Sequence, residues 1–381
     1  MTSGVVPASD WALAGAVQWI GDHAESLLAP DANGHPAWRR HGIAPLFLET
    51  VRTARPTLVS ADVATALDAR CREIARENLR RTGALLEVLA ACARADVGVL
   101  TFKGPTLGVL AYGDLARRDF ADIDILVAAR DAVAAWDCLL ALGYVPRPSL
   151  TAAQRSVHTR AGHEHTFVHA VTRVAVELHW ALLPRVLATL MDEHPVWRRT
   201  RRCDIGGTRV LTLGVPDLVL FLAIHGAKHA WWRLAWIADF AHLIARERSV
   251  DWGALIATAR DRGADRILLL ALALATDMAP ECRPEGAVRA RLASREVRRL
   301  ADVVWGHWLC QPPDPARPEH RAFQLAALAR FRDRARYLAR WVSNPTTLDF
   351  AALDLPPRAR GLYYALRPLR LVRDRCRRRQ H

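Results

Sequence analysis

Apolar positions recur at helical spacing over most of the chain. Residues 10–29 are rich in Ala, Leu and Trp without breakers, and residues 61–95 place Leu67, Ile74, Leu85, Val88 and Leu89 near one face. The spacing predicts a helix in each segment. Ser60 is set to cap the second, with Asp62 in its first turn, where a carboxylate suits the positive end of the dipole. Pro36, Pro45 and Pro56 punctuate the stretch between them. Helical patterning returns at 216–247 and 264–278, and Pro-rich stretches at 312–318 and 345–357 read as loops.

Between these helical regions the period changes. Val99-Leu100-Thr101-Phe102 is a short buried-strand pattern, broken by Lys103-Gly104-Pro105. Pro105 suits the first turn of a helix running toward Tyr112, which Gly113 would close. Ile123, Ile125, Leu126 and Val127 predict a second strand, and 131–142 an amphipathic helix ended by Gly143. Glu164–Ala170 and Val174–Trp180 read as two more strands around a turn at Thr172-Arg173. The expected class is therefore α+β, a small mixed sheet embedded in a mostly helical protein. The expected divisions are 1–95 helical, 96–212 the α+β core, 213–345 helical again, and 346–381 a loop with a basic tail.

Composition adds exclusions. With 51% hydrophobic and 24% charged residues, the chain is not disordered overall. Its seven cysteines are isolated, with no C-x-x-C pair, which argues against a zinc ribbon, a thioredoxin-type site or a disulfide scaffold. The first residues lack the basic region of a signal peptide, and the longest purely apolar run, Ile267 to Ala275, falls far short of the ~20 residues of a membrane span. A cytoplasmic setting is the expectation. The net charge of +14 is concentrated in the tail, where Arg358–His381 holds nine arginines and one aspartate. The rest is only mildly basic, so a nucleic-acid-binding surface is not expected. The tail mixes these arginines with Tyr363, Tyr364, Leu366, Leu369, Leu371 and Val372. It is open to several readings: a solvated end, a contact with an acidic partner or nucleic acid, or a peripheral contact with an anionic membrane surface.

The candidate chemistry lies in the second strand. Side chains two apart on a strand share a face, so Asp122 and Asp124 present two carboxylates together while the Ile residues between and after them face the core. Like charges this close need compensation, and a divalent cation such as Mg²⁺ supplies it to hard oxygen ligands. Glu177, in Val-Ala-Val-Glu-Leu-His-Trp, would complete a three-carboxylate cluster if its strand pairs alongside. On this basis, replacing either aspartate should relieve repulsion and raise stability without metal.

A glycine turn after a strand, a short helix, an apolar-Asp-apolar-Asp strand and a third carboxylate on a later strand resemble the polymerase-β-like nucleotidyltransferases. Within that superfamily the chain is similar to the bacterial uncharacterised nucleotidyltransferases. The matching stretches are LTFKGPTLGVLAYGDLARRDFADIDILV, VAVELHW, HGAKHAWWRLAWIADFAHL and NPTTLDFAALDLP…GLYYALRPLRL, so the resemblance runs from about Asn78 to Leu371. It implies a nucleotidyltransferase-like core and transfer of a nucleoside monophosphate from a nucleoside triphosphate, ATP by analogy, to a hydroxyl. The hydroxyl would belong to a small molecule, peptide or protein, and pyrophosphate would be released. It further implies two Mg²⁺ ions on Asp122, Asp124 and Glu177, with Glu177 also helping to deprotonate the acceptor. Lys103, backbone N–H groups around Gly104 and Thr106, and Arg118 would meet the triphosphate. Natural-product tailoring is one role such relatives suggest. The sequence departs from the family at Pro105, where Gly or Ser is usual and an N–H is lost, and at Glu177, where Asp is common.

Two histidine groups stay open. His225 and His229 stand one helical turn apart with Lys228 between them, and are read as zinc ligands, as substrate contacts or as packed side chains. His179 shares the face of Glu177 and is a candidate substrate contact. Asp239 is expected to pair with Arg233 or Lys228. Two other functions compete with the enzyme: a non-catalytic nucleotide-binding regulator on the same fold, and a toxin–antitoxin or tRNA-directed transferase.

Overall fold

A computed structural model describes residues 12–31, 34–191, 193–307, 318–359 and 361–377. Residues 312–317 of the loop expected at 312–318, residues 10 and 11 of the first expected helix, and the last tail residues, 378–381, lie outside these. Ser60 caps as expected, its Oγ accepting from the Val63 N–H, and one helix runs over Ala61–Arg94. Leu67, Ile74, Leu85 and Val88 bury its apolar face.

The sheet is mixed, as expected, but has seven strands. They are β1 (Val99–Thr101), β2 (Asp122–Val127), β3 (Tyr144–Arg147), β4 (Glu164–His169), β5 (Ala175–His179), β6 (Arg201–Ile205) and β7 (Thr208–Thr212). Their order is β3-β4-β5-β2-β1-β7-β6. β2 runs parallel to β5 and antiparallel to β1, which places it at the centre. The pleat then sorts the side chains of β2. Ile123, Ile125 and Val127 join a cluster with Leu85, Val88 and Trp136, between the sheet and the long helix. Leu126 joins Leu100 and Phe102 in the larger helical core on the other face. Asp122 and Asp124 share that second face, so they are aimed at the seam between the sheet and the helices that follow it.

The helix expected over 216–247 is two helices, Val215–Lys228 and Leu234–Arg246. Ala230 and Trp231 between them have φ of 51° and 54°. No Gly or Pro marks the break. Its cause is tertiary: the fully buried Trp231 ring lies where a Cβ on Gly226 would stand only 2.4 Å away. Gly226 is thus the floor on which the bend rests.

Part of the region expected as loop at 345–357 is a helix over Thr347–Ala352, capped by Thr346 with Asp349 in a capping box. The tail is not simply solvated. Leu362–Arg377 is helical, Tyr363 is buried with its hydroxyl donating to the Leu353 carbonyl at 2.8 Å, and Arg367 and Arg370 both pair with Asp349. No helix among the described residues is long and apolar enough to cross a membrane. Cys71, Cys92, Cys138, Cys203 and Cys282 are free thiols.

Candidate active site

The site is assembled by strand register. Asp124 lies directly opposite Glu177 in the parallel β2–β5 pair, so their side chains leave the same face side by side. His179 follows two residues later on β5 and faces Glu164 across the antiparallel β4–β5 pair. The turn after β1 adds Lys103, whose Nζ is 2.5 Å from Asp124 Oδ1. This turn requires glycine: Gly104 has φ +51°, and a Cβ there would meet the Asp122 carbonyl oxygen at 3.1 Å.

A cleft of about 250 Å³ opens over these groups. It brings together Asp122, Asp124, Glu177, Lys103, Arg118, His179, His225, Lys228 and His229. Gly104 and Thr106 shape it from behind rather than line it. The Thr106 hydroxyl is buried and bonded to that of Thr101 at 2.5 Å. Arg118 forms a bidentate pair with Asp239, Nε donating to Oδ1 at 2.9 Å and Nη2 to Oδ2 at 3.0 Å, and its Nη1 donates to the Gly104 carbonyl at 3.3 Å. The partner of Asp239 is therefore Arg118, with the Tyr112 hydroxyl at 2.9 Å, and not Arg233 or Lys228 as expected from sequence.

The electrostatics are tightly balanced. Burial opposes a charge on Asp124, but Lys103 and then His179 outweigh it and hold its carboxyl down at about 2. Burial and the neighbouring Asp124 push Asp122 up to about 6. Burial works against the Lys103 ammonium as well, yet Asp124, Asp122 and Glu177 keep its charge in place. His179 lies 3.4 Å from Asp124, 3.6 Å from Glu177 and 3.3 Å from Glu164; despite burial, these acids raise it to about 9.

Asp124, Glu177 and His179 each offer a ligand atom within 4.8 Å of the others, and they are the group among the described residues with metal-ligand geometry. Both Asp124 oxygens are buried, and neither accepts a hydrogen bond of good geometry. The oxygens of Asp124 and Glu177, with Asp122 alongside, are donors that a hard divalent cation takes, while His179, held protonated by the acids around it, pairs with them rather than adding a ligand. The His225–His229 pair is not part of such a group. The rings stand 4.8 Å apart, packed against Trp236, and burial with Lys228 and Lys103 nearby drives His229 down to about 3.

Sequence reasoning did not find Glu164, His163 or Arg233. Glu164 opens β4 and meets His163 at 3.2 Å and His179 at 3.3 Å. Its signal exists only in the β4–β5 register. Arg233, at the bend between the two helices, lines the cleft with its Nε buried and unbonded.

Buried neutral histidines make stability pH-dependent away from the carboxylates. Burial holds His165 and His242 down to about 4. The unfolded chain takes these protons near the ordinary 6.5, so below that pH it binds more protons than the folded chain. Stability from this source is complete above 6.5 and falls by about 1.4 kcal/mol per pH unit per histidine toward pH 4. Denaturant midpoints that stay flat between pH 7.5 and 5 would contradict this.

The family model described as an uncharacterised nucleotidyltransferase matches residues 36–280, well over half the chain. No curated protein and no solved structure matches.

Proposed function

We propose that this chain, which belongs to the uncharacterised nucleotidyltransferase family, transfers a nucleoside monophosphate from a nucleoside triphosphate to an acceptor hydroxyl and releases pyrophosphate. The observation that carries this reading is the register of Asp124 with Glu177, two residues from Asp122, beside the Lys103-Gly104 turn. Asp122, Asp124 and Glu177 would hold Mg²⁺, which supplies electrostatic neutralisation of the phosphates when bound. Lys103 sits close enough to the carboxylates to exchange its ion pair for a phosphate oxygen. Lys228 and Arg233, on the opposite wall, add positive charge where the triphosphate would enter. Glu177, a quarter exposed, accepts the acceptor's proton. ATP as donor is taken from the resemblance, and a tailoring step on a small molecule, peptide or protein side chain is the setting we favour over a nucleic-acid acceptor.

One observation favours a second reading, a nucleotide-binding regulator without turnover: Lys103 and His179 already neutralise Asp124. Incubation with each nucleoside triphosphate and Mg²⁺ separates the two. Pyrophosphate release or covalent self-labelling with at least one nucleotide, abolished by EDTA, is the result expected for the transferase. Tight nucleotide binding with no release under any condition leaves the regulator.

A further inference from the structure

Behind the carboxylate cleft lies a second cavity of about 430 Å³, between β4 and the C-terminal helices. Glu164 lines both, so it forms the partition between them. The cavity's outer wall is built by Asn344-Pro345-Thr346-Thr347, a stretch that the nucleotide reading leaves without a task. Asn344 Nδ2 ties this wall to the Ala161 carbonyl at 2.9 Å, and the Thr346–Asp349 capping box fixes its turn.

The lining is strongly positive. Arg147, Arg185, Arg340 and Arg367 line this space, against Glu164 as the one acid of the lining among the described residues, and Glu164 is already engaged by His163 and His179. Among the described residues no carboxylate stands within ion-pair distance of Arg147, Arg185 or Arg340. Arg340 donates instead to the Arg185 carbonyl at 2.5 Å, and Arg185 to the Arg160 carbonyl. Arg367, 7% exposed, pairs with Asp349 through Nη1, while its Nε is buried and bonded to nothing. Grouped arginines without acids repel one another unless an anion joins them, and the guanidinium fork matches carboxylate and phosphate oxygens.

We propose that the acceptor is an anion, carrying a phosphate or a carboxylate, that Arg147, Arg185 and Arg340 hold in this second cavity with its hydroxyl turned past Glu164 toward Glu177. This rests on the transferase reading above. The acceptor oxygen forms a bond to the α-phosphorus. The bond from that phosphorus to the bridging oxygen breaks, pyrophosphate leaves with the electron pair, and the hydroxyl proton passes to Glu177 and then to water.

The test is a binding measurement on the full chain saturated with Mg²⁺ and the α,β-methylene analogue of ATP. Glucose, glucose 6-phosphate and glucuronate are titrated in turn. At least one charged sugar binds about tenfold or more tighter than glucose, weakening as salt rises; which one identifies phosphate or carboxylate as the recognised group. Arg147→Gln combined with Arg340→Gln removes that preference while leaving the affinity for the nucleotide analogue unchanged. Arg147→Lys combined with Arg340→Lys keeps the charge and recovers part of it, which separates recognition from misfolding. Equal binding of all three sugars, or a preference that survives the double Gln variant, overturns the proposal. Failure of the nucleotide analogue itself to bind strikes at the transferase reading instead.

Discussion

Asp124→Asn should lower pyrophosphate release by at least about a thousandfold and also destabilise the protein by about 3 kcal/mol. The two losses have different origins. The catalytic loss follows, on the proposed transferase reading, from the removal of one of the charges that would hold Mg²⁺. The stability loss follows from Lys103 and His179, which stand 2.5 Å and 3.4 Å from Asp124 Oδ1 in a buried setting: Lys103 would lose its closest counter-charge and His179 one of the three acids around it. Asp122→Asn should give the same catalytic loss with the opposite stability effect. Burial and Asp124 push its carboxyl up to about 6, which means the folded chain resists its charge at neutral pH, and an uncharged amide of the same shape relieves that. The sequence expectation of a stability gain at either position is thus kept for Asp122 and reversed for Asp124. The check is a pair of thermal melts in EDTA beside the pyrophosphate assay. A gain in melting temperature for Asp124→Asn would contradict the balance of charge described for the site, and retained turnover in either variant would contradict its chemistry.

Asp239→Ala should be the most damaging single change outside the carboxylate cluster, at about 3–5 kcal/mol. The Arg118 guanidinium, a tenth exposed, would lose its bidentate partner, and the Tyr112 hydroxyl would lose its acceptor. Both belong to the segment between the Lys103-Gly104 turn and β2, so the variant should also loosen the turn and raise the KM for nucleotide. Denaturant unfolding at pH 7.5 reads the first effect and steady-state kinetics the second. Arg118→Lys, which keeps a charge but not the fork, is expected to fall between wild type and Asp239→Ala. A variant as stable as wild type would show that the pair is an ornament of the surface rather than a strut.

Much of the site's material was legible because it depends on local chemistry. The alternation of Asp122, Ile123, Asp124 and Ile125 announces a strand with one charged face, and Lys103-Gly104-Pro105 announces a turn. Glu177 could be named as the third acid, but its register against Asp124 could not, since pairing between β2 and β5 is a long-range choice. Glu164 was invisible for the same reason. The β6–β7 hairpin carries a local signal that hydrophobic periodicity passes over: Gly206-Gly207, at φ 59° and 82°, joins two short strands too polar to stand out. The break before Leu234 carries none, because Ala230 and Trp231 adopt left-handed backbone only under the demand of a buried indole ring.

That bend has a consequence for what the protein can accommodate. The wall opposite the acids is an elbow, with His229, Arg233 and Trp236 at or beside its joint, and only five residues separate the two helices. Lengthening or re-angling the elbow would resize the entrance without disturbing any strand that holds a carboxylate. Diversification of ligand choice therefore has an inexpensive place to occur, decoupled from the strands that carry the acids.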